Sequence, residues 1–191
     1  MATKARSVRT KEELIELLDG TMGEKCDHSR CDRVKTILTD AFRNQKLKLP
    51  DEFHQPVAEG YARRLLHKDP AGRYSIVVMV WGPNQQTPLH DHAGTWCVEC
   101  VCCGKVRVDS YDLVGKADDQ TVQFVHKQSI FAGVGEAGAL IPPFEYHVLA
   151  NAQDEPSVTV HVYGEELKWC NVFMPVDGGY QRERKPLSYV S

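Results

Sequence analysis

The chain has 191 residues, 42% of them hydrophobic and 26% charged, enough to bury the core of one domain without disulfide staples. A net charge of −3 leaves no basic footprint for nucleic acid or an anionic membrane. No apolar run is long enough to cross a bilayer and the first residues carry no apolar leader core, so a cytoplasmic protein is expected.

Residues 8–20 predict a helix, with Thr10 and Glu13 as a capping-box pair, Leu14, Ile15, Leu17 and Leu18 as the apolar face, and Gly20 as the stop. A second helix over 30–44 follows from Val34, Ile37, Leu38, Ala41 and Phe42 at helical spacing. Residues 45–52 form a polar connection, and 53–60 hold a short helix or turn. From Tyr61 onward the period changes to that of strands. These are expected at 61–67, 74–81, 95–102, 105–111, 121–126, 139–141, 148–150, 157–163 and 168–173, broken by Gly, Pro and Asn. The expected organisation is a single domain, mainly β. Small N-terminal helices (1–52) cover one end of a β-barrel (53–175), and a polar C-terminal tail (176–191) lies on the surface.

Seven cysteines are an odd count and four crowd into 97–103, so reduced thiols are expected rather than a disulfide framework. Neither the Cys26/Cys31 pair nor the 97–103 cluster has the spacing of a zinc site, because alternate residues of a strand face opposite ways. Most of these cysteines read as small buried hydrophobes.

The strongest chemical signal is elsewhere. His90 and His92 alternate with Leu89 and Asp91, so on an extended segment both imidazoles face one way and can share a metal ion. His147, between Pro143 and Asn151 in another expected strand, is the third candidate ligand. Glu99 shares strand parity with Cys97 and is either a fourth ligand or a satisfied or exposed carboxylate. His28, His54, His67 and His126 have no partners at recognisable spacing and read as surface or core histidines. Three imidazoles without a carboxylate leave a metal more positive than the two-histidine, one-carboxylate iron set does. Such a centre favours a thiolate and keeps positions for an amine and dioxygen.

The two histidine segments, His90-x-His92-x4-Cys97-x6-Gly104 and Pro142-x4-His147-x3-Asn151, resemble the paired motifs of the cupin superfamily. That resemblance implies a double-stranded β-helix (jelly-roll) barrel with a metal inside. Cys97 stands where cupins often place a ligand glutamate, and Phe144 where they usually have glycine. Flanking residues narrow the resemblance, over roughly 53–175, to the cysteine dioxygenase family, the thiol dioxygenase branch. It implies Fe(II) held by His90, His92 and His147. It also implies that Arg63 of Tyr61-Ala-Arg63 binds the substrate carboxylate, with Tyr61 and Trp81 of Trp81-Gly82 in the substrate site. Thr159, His161 and Tyr163 take the place of the family's Ser-x-His-x-Tyr element, Tyr163 acting near the bound oxygen and oriented by the other two. Cys97 is then the partner for a thioether cross-link with Tyr163.

The implied activity is oxidation of L-cysteine by O2 to L-cysteine sulfinic acid. One rival is the same chemistry on 3-mercaptopropionate, whose branch shares Trp81-Gly82-Pro83 and His90-Asp91-His92. That branch usually has glutamine at the Arg63 position and glycine at the Cys97 position, so these two residues favour L-cysteine. The rival from another class is a non-catalytic metal-binding cupin that holds a small molecule. The partners expected are a small-molecule thiol and O2, with neither nucleic acid nor membrane, and the oligomeric state stays open.

Overall fold

The computed structural model describes residues 8–43, 46–115, 121–143 and 145–190. Two helices come first, α1 (Lys11–Asp19) and α2 (Asp27–Phe42), followed by a 3-10 turn at Asp51–His54. The capping box at α1 forms as the sequence predicts: Glu13 N–H donates to Thr10 Oγ1 at 3.2 Å and Thr10 N–H to the Glu13 carboxylate at 3.3 Å.

Eleven strands follow among the described residues: β1 (Ala62–Lys68), β2 (Ser75–Trp81), β3 (Leu89–His90), β4 (Cys97–Cys103), β5 (Lys105–Val114), β6 (Thr121–Gly133), β7 (Ala137–Leu140), β8 (His147–Asn151), β9 (Ser157–Tyr163), β10 (Trp169–Val176) and β11 (Gly179–Pro186). They build a five-stranded sheet in the order β1-β2-β9-β4-β7 and a second, closed set in the order β10-β11-β6-β5-β8-β3. All the pairings are antiparallel. This is a double-stranded β-helix.

β2 and β9 are buried at every position, which an antiparallel strand shows only when both its faces are covered. On the outward face Ile76, Val78, Val80, Val98, Val158, Val160 and Val162 join Leu14, Leu18, Val34 and Leu38 of the helices in one core. On the inward face Val77, Met79, Trp81, Cys97, Val101 and Tyr163 pack with Val106, Val108 and Leu149 of the facing strands. The helices therefore cover the outer face of the five-stranded sheet, through α2 on β4 and β7, and not one end of the barrel. The shared apolar face draws them there.

Two further expectations are corrected. Residues 179–186 are not a tail: they form β11, paired with β10 along its whole length and with β6 at Tyr180 and Gln181. Its side chains are mostly exposed, so a polar composition is compatible with a barrel strand. β6 runs on to Gly133, well past the expected end, because β5 pairs with it through the whole stretch. At the β4–β5 reversal Gly104 has φ +76°, and a Cβ there would stand 2.4 Å from Ser157 Oγ. Only glycine fits both constraints.

Candidate metal centre

His90 ends β3 and pairs directly with His147, the first residue of β8. His92 follows in a turn held by Asp91, whose carboxylate accepts from Ala93 N–H at 3.0 Å, Asn171 N–H at 2.9 Å and Asn171 Nδ2 at 2.6 Å. Glu145, two residues before His147, is also buried, and its carboxyl is raised to about 7 by burial. The three imidazoles converge: one ring nitrogen from each lies within 4.8 Å of the others. Among the described residues this is the one such group of histidine, cysteine or acidic ligands.

Tautomers follow from the partners. His90 Nδ1 faces the carbonyls of Pro88 at 3.2 Å and His147 at 3.1 Å, and His147 Nδ1 faces the carbonyl of Glu145 at 3.0 Å. A carbonyl only accepts, so both Nδ1 atoms carry the proton and both Nε2 atoms keep a free lone pair. His92 Nδ1 is buried with no hydrogen-bond partner. Burial holds His90 down to about 4 and His147 to about 3, and pushes His92 well below the usual histidine range. Three neutral imidazoles with unspent nitrogens suit a divalent metal ion of intermediate softness.

The residues around the centre form a connected set. Trp81 Nε1–H donates to Thr159 Oγ1 at 2.9 Å, and Thr159 Oγ1 lies 2.7 Å from His161 Nε2. His161 Nδ1 faces Glu99 Oε2 at 3.6 Å and Cys97 Sγ at 4.0 Å. The His161 ring stacks on Tyr163 at 5.9 Å, and Tyr163 meets His92 edge-on at 5.5 Å. Cys97 and Tyr163 sit directly opposite each other on β4 and β9. Burial pushes both well above their ordinary values, so in the absence of other ligands both keep their protons.

Arg63 pairs with Met79, an inward-facing residue, whereas Arg64 pairs with the outward-facing Val78, so register separates the two arginines. The Arg63 guanidinium is buried, donates to the carbonyls of Ser188 at 3.3 Å and Leu167 at 3.4 Å, and lies 5.1 Å from the Tyr189 ring centre. Both hydrogen bonds are long. Arg63, Tyr61 and His90 line a cavity of about 300 Å³ with Leu187 and Ser188. Trp81 is fully buried, tilted against Tyr61 with ring centres 4.8 Å apart and spent on Thr159, and lines no part of that cavity.

Asn151, the last residue of the second histidine motif, ties strand ends together. Its Nδ2 donates to Gly82 O at 2.9 Å and Glu155 O at 3.0 Å, and its Oδ1 accepts from Ser157 Oγ at 2.8 Å. Phe144, the other motif position, lies outside the described residues. Cys31, Cys97, Cys100 and Cys170 are buried, as small apolar residues would be, while Cys26 and Cys103 are exposed. Sequence reasoning missed Asp91, Glu145, Ser188 and Tyr189, none of which stands in a pattern that marks it.

The family model for cysteine dioxygenase type I matches residues 5–175. Cysteine dioxygenase type 1 of Rattus norvegicus is 20% identical over 114 residues, covering 59% of this chain and 55% of the relative; the Homo sapiens protein is 21% identical over the same shares. The chain thus spans about half the length of the curated relatives it matches. Among solved structures, a Klebsiella pneumoniae protein with a double-stranded β-helix domain superposes with a TM-score of 0.43 at 20% identity, covering 60% of this chain and 80% of its own. A cupin superfamily protein of Desulfitobacterium hafniense gives 0.43 at 9% identity, covering 59% and 84%. With most of its length matched by the family model, the chain belongs to the cysteine dioxygenase type I family.

Proposed function

We propose that this single-domain protein is an Fe(II)-dependent thiol dioxygenase of the cytoplasm, which oxidises L-cysteine with O2 to L-cysteine sulfinic acid. The observation that carries the reading is the convergence of three neutral imidazoles, within 4.8 Å, in a barrel that also buries an arginine. His90, His92 and His147 would hold the iron, which when bound supplies open positions for thiolate, amine and O2 and the redox couple their reaction needs.

The remaining roles belong to the chain. Arg63 presents a planar, permanently charged fork to the substrate carboxylate, and its two long carbonyl contacts are weak enough to be exchanged for it. Tyr163 keeps its proton, and its hydroxyl would be a donor for the oxygen that reacts. Thr159 and His161 fix the ring against which Tyr163 stacks. Cys97 lies against Tyr163 in the register a thioether between them would need, and a cross-linked peptide pair after digestion would reveal it by mass. In the net reaction both oxygen atoms of O2 end on the substrate sulfur, so no other reductant is needed.

The test is oxygen uptake by Fe(II)-loaded protein with L-cysteine and with 3-mercaptopropionate, the product identified by mass. Sulfinate formed preferentially from L-cysteine, and lost in His147→Ala together with the iron, is the expected result. Full iron occupancy with no uptake on either thiol would overturn the proposal and leave a binding barrel.

A further inference from the structure

Glu99 is a buried acidic residue of the barrel that the proposed chemistry does not use. Its side chain comes from the inward face of β4, two residues beyond Cys97, and is 7% exposed. Oε2 is buried with no hydrogen-bond partner. It stands 3.6 Å from His161 Nδ1 and 3.9 Å from His147 Nε2, both too long for hydrogen bonds. His147 has spent its only proton on the Glu145 carbonyl, so two acceptors face each other across that gap. The group of ligand atoms within 4.8 Å comprises the three histidines without Glu99, which places the carboxylate beside the centre and not in it.

A cavity adjoins the Glu99 residue. A cavity of about 350 Å³ is lined by Glu99 and Thr159 together with Val106, Val108, Leu140 and Leu149. It lies between β4, β7 and the β5–β6 pair, while the Arg63 cavity is walled by β1, β10 and residues 187–190. The centre is therefore flanked by an anion receptor on one side and an unpaired carboxylate on the other. A thiol that also bears a carboxylate and an amine carries a group suited to each of them.

We propose that Glu99 is a specificity-determining residue of the thiol dioxygenation advanced above: its carboxylate accepts N–H from the amino group of the substrate, so the site selects thiols that bear an amine. The assignment rests on that functional reading for the thiol position. It holds whether the amino group carries two hydrogens or three, since either form donates. Selection between L-cysteine and 3-mercaptopropionate then falls to Glu99, and selection between L-cysteine and cysteamine to Arg63.

The test is anaerobic calorimetric binding of L-cysteine, cysteamine and 3-mercaptopropionate to the Fe(II)-loaded protein, with iron content measured in each variant. In Glu99→Gln the affinities for L-cysteine and cysteamine should fall about tenfold or more, the loss of a charge-assisted hydrogen bond, while 3-mercaptopropionate binds as before. Glu99→Asp, which keeps the charge and shortens the reach, should fall between the two and guards against a Gln variant that does not fold. Equal losses for all three thiols would make Glu99 merely structural, and loss of iron would make it a ligand; either overturns the assignment. Failure of the functional reading looks different, because thiols would bind in this pattern without any oxygen uptake.

Discussion

Thr159 is the residue on which the buried polar string turns. Its hydroxyl takes the Trp81 indole proton at 2.9 Å and serves His161 at 2.7 Å, so one oxygen satisfies two groups that have no access to water. Thr159→Val keeps the shape and deletes both bonds, leaving the indole N–H and an imidazole nitrogen unpaired. An orphaned buried group costs about 1–3 kcal/mol, so urea denaturation of the metal-free variant should show a loss in or above that range. Thr159→Ser should restore most of it, and a Val variant as stable as the parent would mean that water replaces the hydroxyl. At this scale the centre was legible in the sequence where a spacing carries the chemistry. His90 and His92 are two apart, and Thr159, His161 and Tyr163 share one face of β9 by parity alone. Asp91 was not legible as a support, because a carboxylate that accepts backbone N–H groups across a turn leaves no periodic trace.

The C-terminal segment makes the same point for elements. The strands β2 and β9 announce themselves by β-branched runs, since burial on both faces favours apolar residues outside the hydrogen-bonded Ser157, Thr159 and His161. β11 has its side chains mostly in solvent and is held by backbone pairing, which any composition can supply. Residues 187–190 then fold back over β1: Val190 N–H donates to Arg63 O at 2.8 Å, Leu187 N–H to Lys168 O at 2.8 Å, and the Tyr189 ring lies against the Arg63 guanidinium. The arginine is thus oriented by the far end of the chain, a contact between residues more than a hundred positions apart. Removing the ring in Tyr189→Ala should cost a cation–π contact of about 0.5–2 kcal/mol, and so raise KM for L-cysteine about 2- to 30-fold. Iron content should stay at the parent level, since Tyr189 touches no histidine of the centre. An unchanged KM would show that Arg63 holds its position without the segment.

For the molecule as a whole, the barrel's buried charges set how stability follows pH. Burial lowers His90 to about 4, His147 and His161 to about 3, and His92 well below its ordinary value, and raises Glu99 and Glu145 to about 7. A histidine whose folded pKa lies below the unfolded 6.5 contributes stability that is present above pH 6.5 and lost as pH falls toward the folded value, because only the unfolded chain takes the proton. The two glutamates act in the opposite sense: their folded pKa exceeds the unfolded 4.5, so the cost of burying them relaxes as pH falls from 7 to 4.5. Near pH 7 the protons taken up by the two folded glutamates and by the four unfolded histidines nearly balance, so the metal-free protein is close to its most stable there. Below 6.5 four histidines oppose two glutamates, and the net loss is about two groups' worth, or roughly 3 kcal/mol per pH unit. Thermal melting of chelator-treated protein should therefore be highest near pH 7 and fall steeply by pH 5. Iron-loaded protein should start from a higher midpoint and fall more steeply, since the metal binds neutral imidazoles and protons compete for them. A melting temperature that stays level from pH 7 to 5 in the metal-free protein would mean that water reaches these histidines and that the barrel interior is not the dry, neutral site its geometry describes.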